Sequence, residues 1–201
     1  MWIRSFRLNL GRSQDSLRKI QWACFSFTRV INSVTDTLSW NENCSNIVRK
    51  VNARVQLLRK VWSFGSNNEE MVKLWKIYCL SLLEQSCVVW DSGLTQENKT
   101  DLERTQKTFC KMVLEENYLT YPKALETLRL QSLEQRRQML TLRFAKRSLS
   151  DGKLRDLFPH RKKQHDMETR LNEKYKVFHA NTKRYQNSPI LVMQRALNEA
   201  N

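Results

Sequence analysis

Phosphoryl transfer by two metal ions needs carboxylates set close enough to hold both ions, so the acids of this sequence are the first residues to weigh. Its seven aspartates, Asp15, Asp36, Asp91, Asp101, Asp151, Asp156 and Asp166, include no adjacent pair. Glu69-Glu70 and Glu115-Glu116 are adjacent. The first pair falls in the opening turn of a predicted helix, where negative charge favours the helix dipole, and both read as surface charge. No glycine-rich phosphate loop is present. His160 and His165 stand five apart in a basic segment, without Cys or carboxylate partners at zinc-like spacing. No local nucleophile motif supports Cys-His or Ser-His-Asp catalysis. The expectation is a chain without a catalytic residue, a metal or another cofactor of its own.

The five cysteines, at 24, 44, 79, 87 and 110, are odd in number and form no CxxC pair. Cys79 and Cys87 lie in an apolar helical pattern, where a free cysteine behaves as a small buried hydrophobe. They read as reduced core residues of an intracellular protein, nuclear or cytoplasmic. No stretch approaches the roughly 18 apolar residues that a spanning helix needs. Arg4 and Arg7 interrupt the N-terminal apolar residues, which argues against a secretory signal.

The net charge of +15 is unevenly spread. Residues 36–128 balance bases against acids, whereas 129–184 carry sixteen Lys/Arg against six acids, so the last third is a basic arm. Each phosphate that a basic arm neutralises releases a condensed counterion, which gives sequence-independent affinity that weakens with salt. Nucleic acid is therefore the expected partner.

The elements that must carry these charges are helical. With only 4 Gly and 3 Pro, a many-turned all-β design is disfavoured. Ile47, Val51, Val55, Leu58 and Trp62 recur at helical spacing over about 42–64, and Gly65 is placed to end that helix. Asn67 with Glu70 offers a capping box for a second helix over about 69–89, striped by Met71, Leu74, Trp75, Tyr78 and Leu82. Asp91-Ser-Gly93 breaks it. Thr95 caps a third helix over 96–114, with Leu102, Phe109 and Val113 inward. Tyr121-Pro122 starts a short fourth with Ala124, Leu125 and Leu128. Ser132 with Gln135 caps a fifth, facing Leu133, Leu140 and Phe144 inward and ending at Ser150-Asp-Gly152.

Beyond Pro159 the periodicity fades, so 159–189 reads as extended or ordered on a partner, and Ser188-Pro189 suits the start of a last helix over 190–197. Phe25–Ile31 reads as one short strand. The predicted fold is mainly α: a small bundle of about five helices with a basic, partly extended C-terminal arm. Its divisions are an unplaced basic segment at 1–35, a helical domain at 36–150 and the arm at 151–201. Trp62, Trp75, Tyr78, Trp90 and Phe109 sit at helical spacing and read as core. Tyr175, Phe178 and Tyr185, interleaved with Lys174, Lys176, Lys183 and Arg184, are the aromatic residues that could stack on a base.

The run DTLSWNENCSNIVRKVNARVQLLRKVWSFG, Asp36 to Gly65, resembles the stretch just after the palm in reverse transcriptases of non-LTR retrotransposons. VKLWKIYCLSLLEQSCVVWDSGLTQENKTDLERTQKTFCKMVL, Val72 to Leu114, is similar to the next part of those proteins: a helix ending in V-W, a polar turn, and a further helix. Leu125 to Leu128, LEQRR at Leu133 to Arg137, LRFAKRSL at Leu142 to Leu149, and FHANTKRY with its adjoining SPI also look like late segments of arthropod elements of this kind. The resemblance covers roughly residues 34–197 and rests on order and spacing. Residues 1–24 match nothing in the family, and Thr28-Arg29 stands where it commonly has Leu-Gly.

The resemblance implies a truncated, thumb-like and downstream segment of an RNA-directed DNA polymerase. The adjacent Asp pair and the Mg ions of the intact parent would lie in a palm that is not among these residues. RNA or an RNA–DNA hybrid is the implied partner, gripped through its backbone. Arg136, Arg137, Arg143, Lys146 and Arg147 would form a basic face of the fifth helix, extended by Arg161, Lys162 and Lys163. The rival expectation is a helical protein-interaction module or an element remnant with no selected function. A contiguous basic groove would favour the first, scattered charge the second.

Overall fold

The computed structural model of the chain describes residues 39–150, 154–160 and 175–200; the Phe25–Ile31 strand expectation and residues 1–24 lie outside them. The fold is mainly helical. α1 (Asn41–Trp62) buries Ile47, Val51, Val55 and Leu58 on one face, as their spacing predicts, and Trp62 is half-buried at its end. Gly65 closes the helix at φ +84°, a left-handed conformation that costs glycine no steric penalty. α2 (Asn68–Leu74) then opens on the full capping box: Glu70 N donates to Asn67 Oδ1 at 2.9 Å, and Asn67 N to Glu70 Oε2 at 3.2 Å.

The second predicted helix is not one rod. α2 runs into a π-helical stretch, Trp75–Leu80, then α3 (Ser81–Glu84), a break, and α4 (Cys87–Trp90). At the break Gln85 turns extended and Ser86 sits at φ 53°. The Gln85 carbonyl freed there accepts the Trp90 indole N–H at 2.8 Å, so a buried tryptophan finds its acceptor only because the helix stops. No apolar periodicity encodes that trade, which is why the pattern over 69–89 reads as continuous.

A 3-10 turn at Asp91–Gly93 leads to Thr95, whose side chain caps α5 (Gln96–Leu114). A Cβ on Gly93 would stand 2.8 Å from Trp40 Cδ1, so this turn is packed against the entry to α1. α5 lies along α1 in the most extensive helix pairing of the fold. Phe109 of α5 stacks on Trp75 of the π-helical stretch with ring centroids 4.5 Å apart, and both side chains are fully buried. α6 (Tyr121–Thr127) carries Pro122 in its first turn, and α7 (Leu133–Ser150) follows, with Ser132 Oγ accepting from Gln135 N.

α7 buries Leu133, as predicted, but the rest of its inward row differs from the predicted one. Its buried residues are Leu133, Arg137, Thr141, Ala145 and Ser148, a regular row of mostly small or polar side chains. Leu140 is half-buried and Phe144 is 43% exposed. Small residues let α4 and the last helix approach the α7 backbone closely, and hydrophobicity alone misses such a row.

The C-terminal segment is docked rather than trailing. Residues 176–180 have no regular secondary structure, and Tyr175 pairs in an isolated antiparallel bridge with His160. After the short α8 (Lys183–Gln186), α9 (Pro189–Glu199) begins at Ser188-Pro189 and packs along α7. Ala145, Phe158, Tyr175, Met193 and Leu197 form a second small core there. Asn198 ties it shut, accepting from Tyr175 N at 2.9 Å and donating to Tyr175 O at 3.0 Å.

Candidate nucleic-acid interface

The eight basic residues expected to contact nucleic acid divide into three groups. Arg136 and Arg137 are consecutive, so they leave α7 about 100° apart, yet both reach the broken segment after α2. Arg136 makes a forked pair with Glu84, its Nη2 lying 3.2 Å from Glu84 Oε2. Arg137 donates from Nε to Asp91 Oδ1 at 2.6 Å, its side chain 2% exposed against 20% for Asp91. These acids flank the Ser86 break, so the two arginines fasten α7 to both sides of it.

This corrects the expected basic face. Arg137 is core, not surface, because its helical row is the buried one. Arg136 is partly buried and already neutralised by a carboxylate. Arg143, Lys146 and Arg147 are exposed on the second half of α7, and among the described residues none of the three forms an ion pair. Arg161, Lys162 and Lys163 lie outside the described residues.

The described C-terminal residues carry further exposed cations. Arg155, Lys176, Lys183 and Arg195 are exposed in the C-terminal layer, where the described acids are Asp156 and Glu199. Of the aromatic residues named for stacking, Tyr175 is only 5% exposed, and its ring lies 5.1 Å from that of His160. It belongs to the second core and cannot stack on a base. Phe178 and Tyr185 remain exposed. Trp75, Trp90 and Phe109 are buried and Trp62 and Tyr78 half-buried; Arg54 stacks over Tyr78 at 4.7 Å.

Between α5, α6 and α7 lies a cleft of about 440 Å3 lined by Lys99, Glu103, Lys107, Tyr121, Glu134 and Arg137 among others. Of its two carboxylates, Glu103 is engaged, accepting from Tyr121 Oη at 2.5 Å and from Glu134 N at 2.8 Å. Burial, then that hydrogen bond, pushes the Tyr121 phenol far above its ordinary value. Lys and Glu interleave on the walls, so the cleft offers no single sign of charge to a ligand. Arg137 Nη1 and Nη2 are buried here without a hydrogen-bond partner, a cost of about 1–3 kcal/mol for each such group.

The thiols are placed for packing. Cys44, Cys79, Cys87 and Cys110 are all buried and none is in a disulfide. Burial above all, with Asp101 acting on Cys44 and Asp91 on Cys87, pushes those two thiols up to about 11, and burial pushes Cys110 up to about 12. A thiol held protonated is a poor nucleophile, so Cys44, Cys87 and Cys110 should resist iodoacetamide at pH 8, Cys79 should resist it because it is buried, and all four should label once urea unfolds the chain. Rapid native labelling of any of the four would contradict this placement. Because the folded values of the three shifted thiols exceed the ordinary 9.0, the folded state holds more protons above that pH. Their contribution is complete below about pH 9 and is lost as pH rises through 11.

Among the described residues no three His, Cys, Asp or Glu side chains are grouped to hold a metal ion, and no helix is long and apolar enough to cross a membrane. Compared with protein-family models, curated proteins and solved structures, the chain has no match.

Proposed function

We propose that the chain is a non-catalytic segment of the post-palm type, related to the non-LTR retrotransposon reverse transcriptases its sequence resembles, and that it holds an RNA–DNA hybrid through the phosphate backbone. The observation that carries this is the exposed Arg143, Lys146 and Arg147 stripe on the second half of α7, free of described ion pairs. Contacts of this kind position a duplex without reading its sequence. The contact surface is narrower than the sequence implies, since Arg136 and Arg137 serve the fold instead. The rival reading, a protein-docking helix, draws on Phe144 and Met139, exposed on the same helix.

The test is binding of a short RNA–DNA hybrid across a salt series, with heparin as comparator. Each phosphate contact contributes about 0.9 to the slope of log affinity against log salt. Replacing Arg143, Lys146 and Arg147 together by Gln should lower that slope by about 2–3, with helical content unchanged. An unaltered slope would sink the interface, and equal affinity for heparin and hybrid would reduce it to plain polyanion attraction.

A further inference from the structure

The exposed stripe of α7 ends in a hydroxyl. Ser150 is the last residue of that helix and is exposed. It follows Arg147 by three residues, Lys146 by four and Arg143 by seven, spacings that put side chains on one face of a helix. At 3.6 residues per turn, Ser150 lies about 20° around the axis from Arg143, about 40° from Lys146 and about 60° from Arg147. It therefore extends the ridge that the three cations form. Ser148, two residues earlier, is 2% exposed, and its Oγ donates to the Phe144 carbonyl at 2.9 Å.

A kinase that selects substrates by basic residues holds them against its own carboxylates, which an arginine fork matches better than an ammonium does. Among the described residues two serines have arginine three residues before them, Ser132 after Arg129 and Ser150 after Arg147. Ser132 is half-buried, and its Oγ accepts from Gln135 N at 3.2 Å where α7 begins. Ser63, exposed at the end of α1, also follows two cations, Arg59 and Lys60, but lysine stands three before it and its hydroxyl donates to the Lys60 carbonyl at 2.8 Å. Ser150 combines exposure, arginine at the third position and lysine at the fourth. A kinase cleft takes its substrate extended, and the end of a helix opens at the least cost.

We propose that Ser150 is a phosphorylation site and that its phosphate switches the α7 stripe off. The γ-phosphoryl group of a nucleoside triphosphate passes to Ser150 Oγ. The Oγ–P bond forms as the bond from the γ-phosphorus to the bridging oxygen breaks; the diphosphate leaves, and the hydroxyl proton goes to the kinase's base. The product carries nearly two negative charges at pH 7 and three acceptor oxygens, one helical turn from Arg147 and Lys146. A helix C-terminus repels an anion, and pairing with these two side chains offsets that repulsion. Two of the three cations available to a duplex are then engaged within the chain. The switch rests on the nucleic-acid reading above; the modification itself does not.

The full chain is incubated with magnesium ATP and a purified basophilic serine kinase, and the phosphate is located by peptide mass spectrometry. It should appear on Ser150, be absent from Ser150→Ala and be lost in Arg147→Gln. Phosphate on Ser63 or Ser148 instead, or none, overturns the site. In a chain given phosphoserine in place of Ser150 during translation, phosphorus NMR should find the second phosphate pKa below its ordinary value of about 6. Lys146→Gln with Arg147→Gln should restore that value, and an unshifted one overturns the pairing. For the RNA–DNA hybrid, the phosphorylated chain should show a slope of log affinity against log salt lower by about 2, two contacts at about 0.9 each. An unaltered slope removes the switch and leaves the α7 interface standing. Absence of salt-dependent hybrid binding in the unmodified chain removes the interface and the switch with it, so the two failures are distinguishable.

Discussion

Arg137→Ala should destabilise the protein by about 3–5 kcal/mol, the usual cost of breaking a buried pair by removing one partner. The substitution strips Asp91 of the guanidinium 2.6 Å away, while Asp91 remains largely shielded from water. It also empties the space of a long side chain between α7 and the segment ending α4. Against a total stability of about 5–15 kcal/mol for a typical domain, such a loss shows as a large drop in the urea midpoint at constant slope. The double replacement Arg137→Met with Asp91→Leu should recover most of it, because two apolar residues need no pairing and the unpartnered Nη1 and Nη2 disappear. A single variant within about 1 kcal/mol of the wild type would show that the pair is solvated and that α7 is held by its apolar contacts alone.

The same residue shows where sequence reading stops. α1 is legible because five apolar residues repeat at one helical spacing, and the Asn67–Glu70 capping box because its chemistry is local: three residues separate the groups that bond. Arg137 is misread from sequence because its partner is 46 residues away and its row, Leu133–Thr141–Ala145–Ser148, is only weakly apolar. The hydrophobic stripe through Leu140 and Phe144 looks stronger in the sequence, yet packing against α4 and α9 selects small side chains over large ones. A run of adjacent arginines in a basic third of the chain invites an external reading. The signal that opposes it is a pair of acids, Glu84 and Asp91, seven residues apart in a mostly apolar stretch.

The candidate sites differ in the same way. Arg143, Lys146 and Arg147 can be found from charge and helical spacing, since an exposed stripe is a local property. The unpartnered Trp75 Nε1 and Gln106 Oε1 cannot, because Trp75 is indistinguishable from ordinary core in the sequence. Polar groups left over in a core are a property of the whole packing. They surface only when every donor and acceptor is accounted for.

Phe109→Ala should cost about 3–5 kcal/mol, the range for large aromatic truncations in a core. Phe109 is fully buried in α5 and supplies the stacked partner of Trp75, so the substitution opens a cavity and removes an aromatic contact at once. Phe109→Leu keeps much of the volume and should lose markedly less, because a cavity penalty scales with the space left empty. The urea midpoints of the two variants measure the difference.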